Sequence, residues 1–365
     1  MTATTHPEFN NKTEALEVAQ AFADVVRGKT VLITGVNSGG IGYTTAEAFC
    51  LTLKASQSPA HLIIAGRTPS KIQESITNMK EKFPKVDYRP LEIDLSSQKS
   101  VRTAAAELLS WPDVPVVDIV VNSAGIMNLP ERTFSDEGIE MTFATNHIGH
   151  FLFTNLIMPK LIKAAGANPV KGATRVINVS SGSPTVATMR WSDPKFEKKN
   201  SELPESERPN YDIHRMWGID NPGDHSYIPL EAYNQSKVAN VLYGIGLTRR
   251  LYDQHGILGL SLHPGVVPTE LSRSATPHLL NAIEKMKAQG AFEMKTLGAG
   301  GSMSLVAALD PKLGKPESRA NQENFGAFLS DCQISDQVHP LANSSTEAEK
   351  LWKLSEDLVG EKFSW

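Results

Sequence analysis

Short apolar runs rich in β-branched residues alternate with amphipathic helical segments over most of this chain of 365 residues. The first run, at 29–34, precedes a helical pattern at 41–54, and another such run lies at 174–179. Buried strands that alternate with helices are typical of βαβ units, in which helices cover both faces of a parallel sheet. The alternation therefore predicts an α/β fold with a doubly wound parallel sheet.

The same periodicity predicts the individual elements. Helices are expected at 14–26, 41–54, 70–83, 97–110, 135–165, 230–252, 279–287, 294–309 and 346–359. Strands are expected at 29–34, 61–65, 86–93, 116–121, 174–179, 256–262 and 326–330. We divide the chain into an N-terminal helical extension (1–27), a single α/β domain (28–330) and a C-terminal helical tail (331–365).

Residues 183–229 interrupt this regularity with a stretch rich in Pro, Glu, Lys and Asn. Four large aromatic side chains within it could pack against the domain, namely Trp191, Phe196, Tyr211 and Trp217. We therefore interpret this segment as a surface insertion rather than a linker.

Composition and charge exclude several classes of protein. The net charge is −4, with 36 basic and 40 acidic side chains, so the chain has no basic field for nucleic acid. No stretch approaches the roughly 18 apolar residues of a membrane span, and the polar residues 1–12 lack the pattern of a signal peptide. The two cysteines, Cys50 and Cys332, are too few for a disulfide framework and lack metal-ligand spacing. We expect a cytoplasmic protein without a metal site.

The apolar run at 29–34 leads directly into a glycine-rich turn, Gly35-Val-Asn-Ser-Gly39-Gly40-Ile-Gly42, and then into a helix. Glycines let the backbone approach a pyrophosphate, and the start of the following helix offers free N–H groups and a partial positive charge. We predict a Rossmann-type dinucleotide site here, although tight left-handed turns also need glycine. Either Gly39 or Gly40 could face the pyrophosphate. The expected contacts are Gly35, Asn37, Ser38, Gly40, Ile41 and Gly42.

The residue that follows the second strand indicates which dinucleotide is bound. Proteins that select NAD usually place an acid there to accept from the ribose 2′-hydroxyl. This chain has Ala65-Gly-Arg67-Thr, with no acid and with a guanidinium that can pair with a phosphate. The position favours NADP(H), although an exposed arginine in a βα loop is also commonplace.

Tyr233 and Lys237 are four residues apart in a helical segment, so they share one face with Cβ atoms about 5–6 Å apart. A tyrosine with its ordinary pKa near ~10 is a poor acid–base group at neutral pH. A neighbouring ammonium, together with a positively charged nicotinamide, could lower that pKa to near ~7. A Tyr-x-x-x-Lys pair taken alone is usually a coincidence of the surface.

Ser180 and Ser181 end the strand expected at 174–179. Ligands of open α/β sheets bind at the carboxyl ends of the strands, so a serine hydroxyl here could donate to a substrate oxygen. Serine is also a common turn residue at such a position. The ordered combination of glycine turn, strand-end serine and Tyr-x-x-x-Lys is far rarer than any one of its members.

With these motifs in this order, the chain resembles the short-chain dehydrogenase/reductase superfamily. The similarity lies within the retinol-dehydrogenase-like branch, which includes WW-domain-containing oxidoreductases. It covers about residues 28–270 and, more weakly, the tail. The matching segments are Thr34-Gly35 with Gly40-Ile-Gly42, Asp94-Leu95, Asn122-Ser-Ala-Gly125, Thr145-Asn-His147, Val179-Ser-Ser181, Tyr233-x-x-x-Lys237 and His263-Pro-Gly-Val-Val-Pro-Thr269.

The resemblance implies a role for each matching residue. Tyr233 is the acid–base group, Lys237 lowers its pKa and holds the nicotinamide ribose, and Ser181 positions the substrate oxygen. Ser181 is preferred over Ser180 because the second serine of the pair is usually the catalytic one. Asn146 completes the catalytic set through a water-mediated relay, or else bonds to backbone, and the two roles can coexist.

Further cofactor contacts are implied by the same resemblance. They are Asp94, Leu95, Asn122, Ala124, Gly125, Pro264, Gly265, Val267 and Thr269, in addition to Tyr233 and Lys237. Asp94 could equally cap the helix that follows it.

Three features depart from the family pattern. The glycine turn carries one extra residue, and Ser123 stands where the family often has asparagine. Ser181 and Tyr233 are also further apart in sequence than in typical members. We therefore expect the insertion at 183–229 to lie near the mouth of the site and to shape access to it.

The function implied is that of an NADP(H)-dependent oxidoreductase that interconverts an alcohol and an aldehyde or ketone, with a lipophilic or aromatic small molecule as substrate. A catalytically silent NADP-binding regulator or scaffold is an alternative, although the catalytic set is complete. Epimerase or dehydratase chemistry is another, although the chain after Gly265 is short for a nucleotide-sugar domain. A homodimer through the helices at about 146–165 and 230–252 is also implied.

Overall fold

The computed structural model describes residues 4–53, 61–168, 170–271, 277–290, 292–320 and 322–365. The strands within these ranges are β1 (Val31–Thr34), β2 (His61–Gly66), β3 (Asp87–Glu92), β4 (Ile119–Asn122), β5 (Thr174–Val179), β6 (Ile257–His263), β7 (Glu317–Arg319), β8 (Gln322–Phe325), β9 (Phe328–Ser330) and β10 (Gln333–Ile334). The α-helices are α1 (Ala15–Ala21), α2 (Ala23–Val26), α3 (Ile41–Leu53), α4 (Pro69–Lys82), α5 (Gln98–Ser110), α6 (Met141–Phe143), α7 (Gly149–Leu156), α8 (Met158–Ala167), α9 (Tyr211–Met216), α10 (Pro229–His255), α11 (Pro277–Ala288), α12 (Leu297–Leu309) and α13 (Ser345–Val359).

Eight of these strands form one sheet in the order β10-β9-β6-β5-β4-β1-β2-β3. All neighbours from β9 to β3 are parallel, and β10 pairs antiparallel with β9 at the edge. The strand order reverses between β1 and β4, which leaves a crevice at their carboxyl ends where ligands of such sheets bind. This confirms the expected doubly wound, Rossmann-type sheet.

Burial on both faces explains why the central strands are continuous apolar runs. Every residue of β1, β4 and β5 is buried. Consecutive side chains of β1 point to opposite faces, so Leu32 lies in one core cluster and Val31 and Ile33 lie in the other. The first cluster includes residues of α5, α7 and α10, and the second includes residues of α1, α3, α4 and α12.

The helix expected at 135–165 starts later and is interrupted. Gly138 turns the chain with φ 74°, and the Glu140 carboxylate caps the new helix by accepting from the N–H groups of Thr142 and Phe143. A short α6 and one π-helical turn (144–148) then lead into α7. Pro159 lies in the first turn of α8, where a missing N–H is tolerated, so the pattern continues as a new helix.

The insertion at 183–229 consists of short 3₁₀ turns and the single α-helix α9. Of its aromatic residues, Phe196 is fully buried, with the Arg190 guanidinium 4.7 Å from its ring centre. Arg190 also forms a buried ion pair with Asp193 at 2.6 Å. The insertion therefore has a small core of its own, which combines an aromatic ring with a paired charge.

The C-terminal segment packs on α10. The Trp352 ring of α13 lies 5.1 Å from the ring of Phe151, a residue of the neighbouring helix α7, in an edge-on contact. A Cβ added at Gly246 of α10 would lie 3.1 Å from the Trp352 ring, so the glycine permits this close approach. The tail expected to be helical also supplies the edge strand β10. Among the described residues, no helix is long and apolar enough to cross a membrane.

Candidate active site

A cavity of about 340 Å³ opens at the carboxyl ends of β1 and β4, at the point where the strand order reverses. It brings together residues from the glycine turn, the loops after β2, β3, β4 and β6, and helix α10. The sequence-predicted residues that line it are Gly35, Asn37, Ser38, Gly40, Ile41, Gly42, Arg67, Asp94, Leu95, Ala124, Gly125, Tyr233, Lys237, Pro264 and Thr269.

The glycine turn is closed by backbone contacts that leave no room for side chains. Gly35 has φ 74°, and a Cβ there would lie 2.6 Å from the Ala124 Cα. A Cβ at Gly42 would lie 2.5 Å from the Gly35 carbonyl oxygen. Of the two adjacent glycines, Gly40 lines the cavity, whereas Gly39 has φ 75° and open space around it. The turn thus exposes backbone to the cavity, which fits a pyrophosphate.

A polar network behind the turn was not found by sequence reasoning. Thr34 Oγ1 accepts from the N–H groups of Ser123 and Ala124, both at 3.0 Å. With both lone pairs used, it donates its proton to His150 Nε2 at 2.9 Å. His150 Nδ1 then donates to the Asn146 carbonyl at 3.1 Å, and burial lowers the pKa of His150 to about 4. A neutral histidine therefore ties β1, the β4 end and the π-helical turn together.

Two cationic side chains lie at the end of the cavity beyond β2. Arg67 and Lys71 both line it, and the sequence pattern did not single out Lys71, which lies in the first turn of α4. Lys71 Nζ lies 3.4 Å from the Glu270 carboxylate on the opposite wall. Asp94 also lines the cavity, and its Oδ1 accepts from the N–H and hydroxyl of Ser96 at 2.9 and 2.6 Å. Asp94 thus orders the turn before α5 and borders the cavity as well.

Tyr233 and Lys237 lie one turn apart on α10, and Lys237 Nζ is 5.4 Å from the centre of the Tyr233 ring. Nζ donates to the Val179 carbonyl at 2.8 Å. Burial lowers the pKa of Lys237 to about 8, because the ammonium loses hydration. Burial raises the pKa of Tyr233, which opposes the lowering expected from the neighbouring ammonium. The tyrosine is therefore held protonated and can serve as a proton donor.

The two strand-end serines have different partners. Ser180 donates its hydroxyl proton to the Lys237 carbonyl at 2.7 Å, so that hydroxyl joins the strand end to α10. The Ser181 hydroxyl is hydrogen-bonded to Tyr233, and this contact acts to lower the tyrosine pKa. Ser181 Oγ also accepts from the Ser183 N–H at 3.0 Å. Ser181 is thus the serine hydrogen-bonded to Tyr233, whereas Ser180 is the one of the two that lines the cavity.

Asn146 lies in the π-helical turn and is fully buried. Its amide oxygen accepts from the Ile126 N–H at 2.8 Å, and its amide nitrogen donates to the Ile126 carbonyl at 2.9 Å and to the Ser236 hydroxyl at 3.0 Å. The two bonds to Ile126 match one of the two roles expected for Asn146, that of bonding to the backbone. The side chain joins the β4 end to α10 behind the cavity rather than lining it.

Three further predicted contacts lie outside the cavity lining. The Asn122 amide donates to Asn178 Oδ1 at 3.0 Å and to the Thr154 hydroxyl at 3.3 Å, so it points along the sheet. Gly265 has φ 89° and packs against the Lys295 side chain, and Val267 packs against Gly300. Gly265 and Val267 therefore shape the loop after β6, and Asn122 orders the end of β4.

Comparison with known proteins identifies the relatives of this chain. A family model described as short chain dehydrogenase matches residues 29–192. Over 257 residues the chain is 38% identical to the oxidoreductase fscI of Fusarium equiseti, covering 70% of this chain and 94% of that protein. The chain belongs to the short-chain dehydrogenase/reductase family.

Two further members extend the comparison. Human retinol dehydrogenase 14 is 29% identical over 343 residues, covering 92% of this chain and 88% of that protein, which agrees with the retinol-dehydrogenase-like branch. The crystal structure of NADPH-bound carbonyl reductase from chicken fatty liver has the same fold, with a TM-score of 0.54, 23% identity and coverage of 84% and 92% of the two chains. This short-chain dehydrogenase/reductase is accordingly an oxidoreductase that acts on CH–OH and C=O groups.

Proposed function

We propose that this protein is an NADP(H)-dependent oxidoreductase that interconverts an alcohol and an aldehyde or ketone by hydride transfer, with Tyr233 as the acid–base group. One observation carries the proposal. Tyr233 and Lys237 line a cavity whose other walls include the glycine turn and the Arg67 loop, and the Ser181 hydroxyl is hydrogen-bonded to Tyr233.

The cationic end of the cavity supports NADP(H) over NAD(H). Arg67 and Lys71 both line the cavity beyond β2, where a ribose 2′-phosphate lies in dinucleotide folds of this kind. The β2 end offers no acid to accept from a 2′-hydroxyl, because Gly66, Arg67 and Thr68 follow one another there. The NADPH in the chicken carbonyl reductase structure supports the same assignment.

The residues of the glycine turn, with Tyr233 and Lys237, would hold a nicotinamide cofactor in this cavity, and its reduced form would supply a hydride, with its two electrons, to the carbonyl carbon. Tyr233 transfers its proton to the carbonyl oxygen, so a ketone or aldehyde becomes an alcohol and the tyrosine is left as a phenolate that takes a proton back from solvent. Ser181 donates a hydrogen bond to the oxygen while negative charge develops on it. Lys237 holds the ribose and stabilises the phenolate, which offsets part of the effect of burial on the tyrosine. The same residues acting in reverse oxidise an alcohol.

The substrate and the location are also part of the proposal. A lipophilic or aromatic carbonyl is supported by the similarity to retinol dehydrogenase 14. A reducing compartment such as the cytoplasm is supported by Cys50 and Cys332, which are both free and buried. A fluorescent fusion of the full chain would test the location.

The decisive experiment measures NADPH oxidation by the purified protein with benzaldehyde, hexanal and citral, each also assayed with NADH. We expect turnover that prefers NADPH and disappears in Tyr233→Phe, while NADPH still binds that variant, as measured by fluorescence titration. If Tyr233→Phe keeps most of the rate, the proposed acid–base role is wrong. If NADPH binds but no carbonyl turns over, a regulatory function on the same fold is favoured.

A further inference from the structure

A continuous chain of hydrogen bonds runs from Ser181 into the insertion. Ser183 Oγ lies 2.8 Å from Ser181 Oγ and 2.7 Å from Asn234 Oδ1. Asn234 Nδ2 donates to Glu231 Oε2 at 3.1 Å, and the same oxygen is 2.9 Å from His214 Nε2. Ser183, Asn234, Glu231 and His214 are all more than nine-tenths buried, so water does not compete for these bonds.

The carboxylate sets the direction of each bond in this chain. Glu231 can only accept, so Asn234 turns its NH₂ group towards Glu231 and its amide oxygen towards Ser183. Ser183 gives its one hydroxyl proton to Asn234, and its oxygen can therefore only accept from Ser181. Ser181 in turn accepts the Ser183 N–H at 3.0 Å. The position of the Ser181 oxygen is thus set by two bonds to Ser183, and Ser183 is held by Asn234.

We propose that the insertion supports catalysis: His214, Glu231 and Asn234 are positioning residues that hold Ser183, and through it the Ser181 hydroxyl, where the substrate oxygen binds. The inference rests on the proposed function, in which Ser181 donates to that oxygen. When a carbonyl enters, Ser181 turns its proton from Ser183 to the substrate and keeps the N–H bond from Ser183. The donor bond changes partner while the oxygen stays in place.

His214 is the second residue, after Ser183, that the insertion contributes to this hydrogen-bond chain. It lies on α9 and is 1% exposed, and it meets Glu231, which lies in the first turn of α10. A buried carboxylate without a hydrogen-bonding partner is costly, so His214 stabilises an acid in the first turn of the helix that carries Tyr233. The long separation between Ser181 and Tyr233 in the sequence is therefore connected to the site itself and not to its mouth alone.

A double-mutant cycle tests the chain, with kcat measured on the carbonyl of the panel that turns over fastest. We expect Asn234→Leu and Ser183→Ala each to lower kcat roughly tenfold, since misplaced catalytic groups lose rate of this order. NADPH affinity is expected to stay unchanged. The double variant should be no slower than the slower single variant, because both changes break the same path.

A matched control separates this effect from a general loss of stability. Thr248 lies on the same helix, is buried and exchanges hydrogen bonds with the backbone of Gly259, far along the helix from Ser181. Thr248→Val should lower the melting temperature and leave kcat unchanged. A kcat loss in Thr248→Val equal to that in Asn234→Leu would overturn the inference.

Substitutions at Glu231 give a second test, which can still be read if Asn234→Leu or Ser183→Ala folds poorly. Glu231→Gln keeps an oxygen that can accept from Asn234 and His214, so it should keep kcat within about threefold, whereas Glu231→Leu should lose roughly tenfold. Two outcomes would overturn the inference, provided that Tyr233→Phe is inactive. In the first, the kcat losses of Asn234→Leu and Ser183→Ala multiply in the double variant. In the second, both single variants keep the wild-type kcat. Turnover that survives Tyr233→Phe would instead overturn the proposed function, and this inference with it.

Discussion

Lys237 Nζ lies 5.4 Å from the centre of the Tyr233 ring and donates to the Val179 carbonyl, so the ammonium is held between that ring and the end of β5. The two side chains respond to burial in opposite senses. Burial lowers the pKa of Lys237 to about 8 and raises the pKa of Tyr233. Both effects favour the uncharged form of the residue, and they determine how activity should depend on pH.

Carbonyl reduction should decline as the pH rises above about 8. Below that value Lys237 carries its charge, and above it the ammonium loses its proton. Tyr233 stays protonated over the same range because its pKa is raised, so the decline belongs to Lys237. The measurement is kcat for reduction between pH 6 and pH 10, at about half-unit intervals. A profile that stays level up to pH 10 would contradict this assignment, and Lys237→Met should be slow at every pH.

Arg67→Ala should weaken NADPH binding and leave NADH binding unchanged. A hydrogen bond to a charged group contributes about 1.5–3 kcal/mol, so the dissociation constant for NADPH should rise about tenfold to a hundredfold. Lys71→Ala should have a smaller effect in the same direction, because Lys71 also faces Glu270. Fluorescence titration with each cofactor gives the constants. Arg27→Ala, which removes an exposed arginine paired with Asp24, is the matched control. Equal weakening of NADPH and NADH would rule out a contact with the 2′-phosphate.

Gly35→Ala should abolish cofactor binding and destabilise the fold, whereas Gly39→Ala should be mild. Both glycines have nearly the same positive φ, 74° and 75°, so each variant carries similar backbone strain, on the order of 1–3 kcal/mol. The new Cβ at Gly35 would in addition lie 2.6 Å from the Ala124 Cα, whereas nothing lies within 4 Å of the Cβ at Gly39. Thermal unfolding with and without NADPH compares the two. Equal losses of melting temperature would mean that the clash with Ala124 is relieved elsewhere.

Association of two copies through α10 should not occur. The C-terminal helix α13 packs on this helix, and the ring of Trp352 lies against Phe151 and close to Gly246. A second copy would have to displace that contact. Light scattering should give a mass near 39.8 kDa for the full chain. Twice that mass, increased further in Trp352→Ala, would show that two copies do pair through the surface of α10 that α13 covers.

The sequence predicts the elements that show a regular hydrophobic period and the residue pairs that lie a fixed number of positions apart. The strands, most helices and the Tyr233–Lys237 pair follow from periodicity and from one helical turn of separation. The site also depends on contacts between residues distant in the chain, which no local pattern encodes. His150 meets Thr34, and His214 meets Glu231 across a chain reversal. A buried histidine in a helical pattern resembles a core residue until its partner is known.

Asn146 illustrates a different limit. The motif Thr145-Asn-His147 identifies Asn146 in the sequence. Whether its side-chain amide faces the cavity or the backbone depends on the π-helical turn that carries it. That turn widens the helix by one residue and directs the side chain to Ile126 and Ser236. Helical periodicity assumes regular spacing and so cannot show such a change of direction.

The packing of α13 on α10 also has a consequence during protein synthesis. Domains fold as the chain leaves the ribosome, at about 5–20 residues per second. Tyr233 and Lys237 emerge well before residues 345–359, which cover the outer side of their helix. Until that last helix arrives, a nascent chain carries both catalytic side chains on a helix whose apolar strip is open to chaperones. Formation of the folded site therefore also waits for α13, although no residue of that helix lines the cavity.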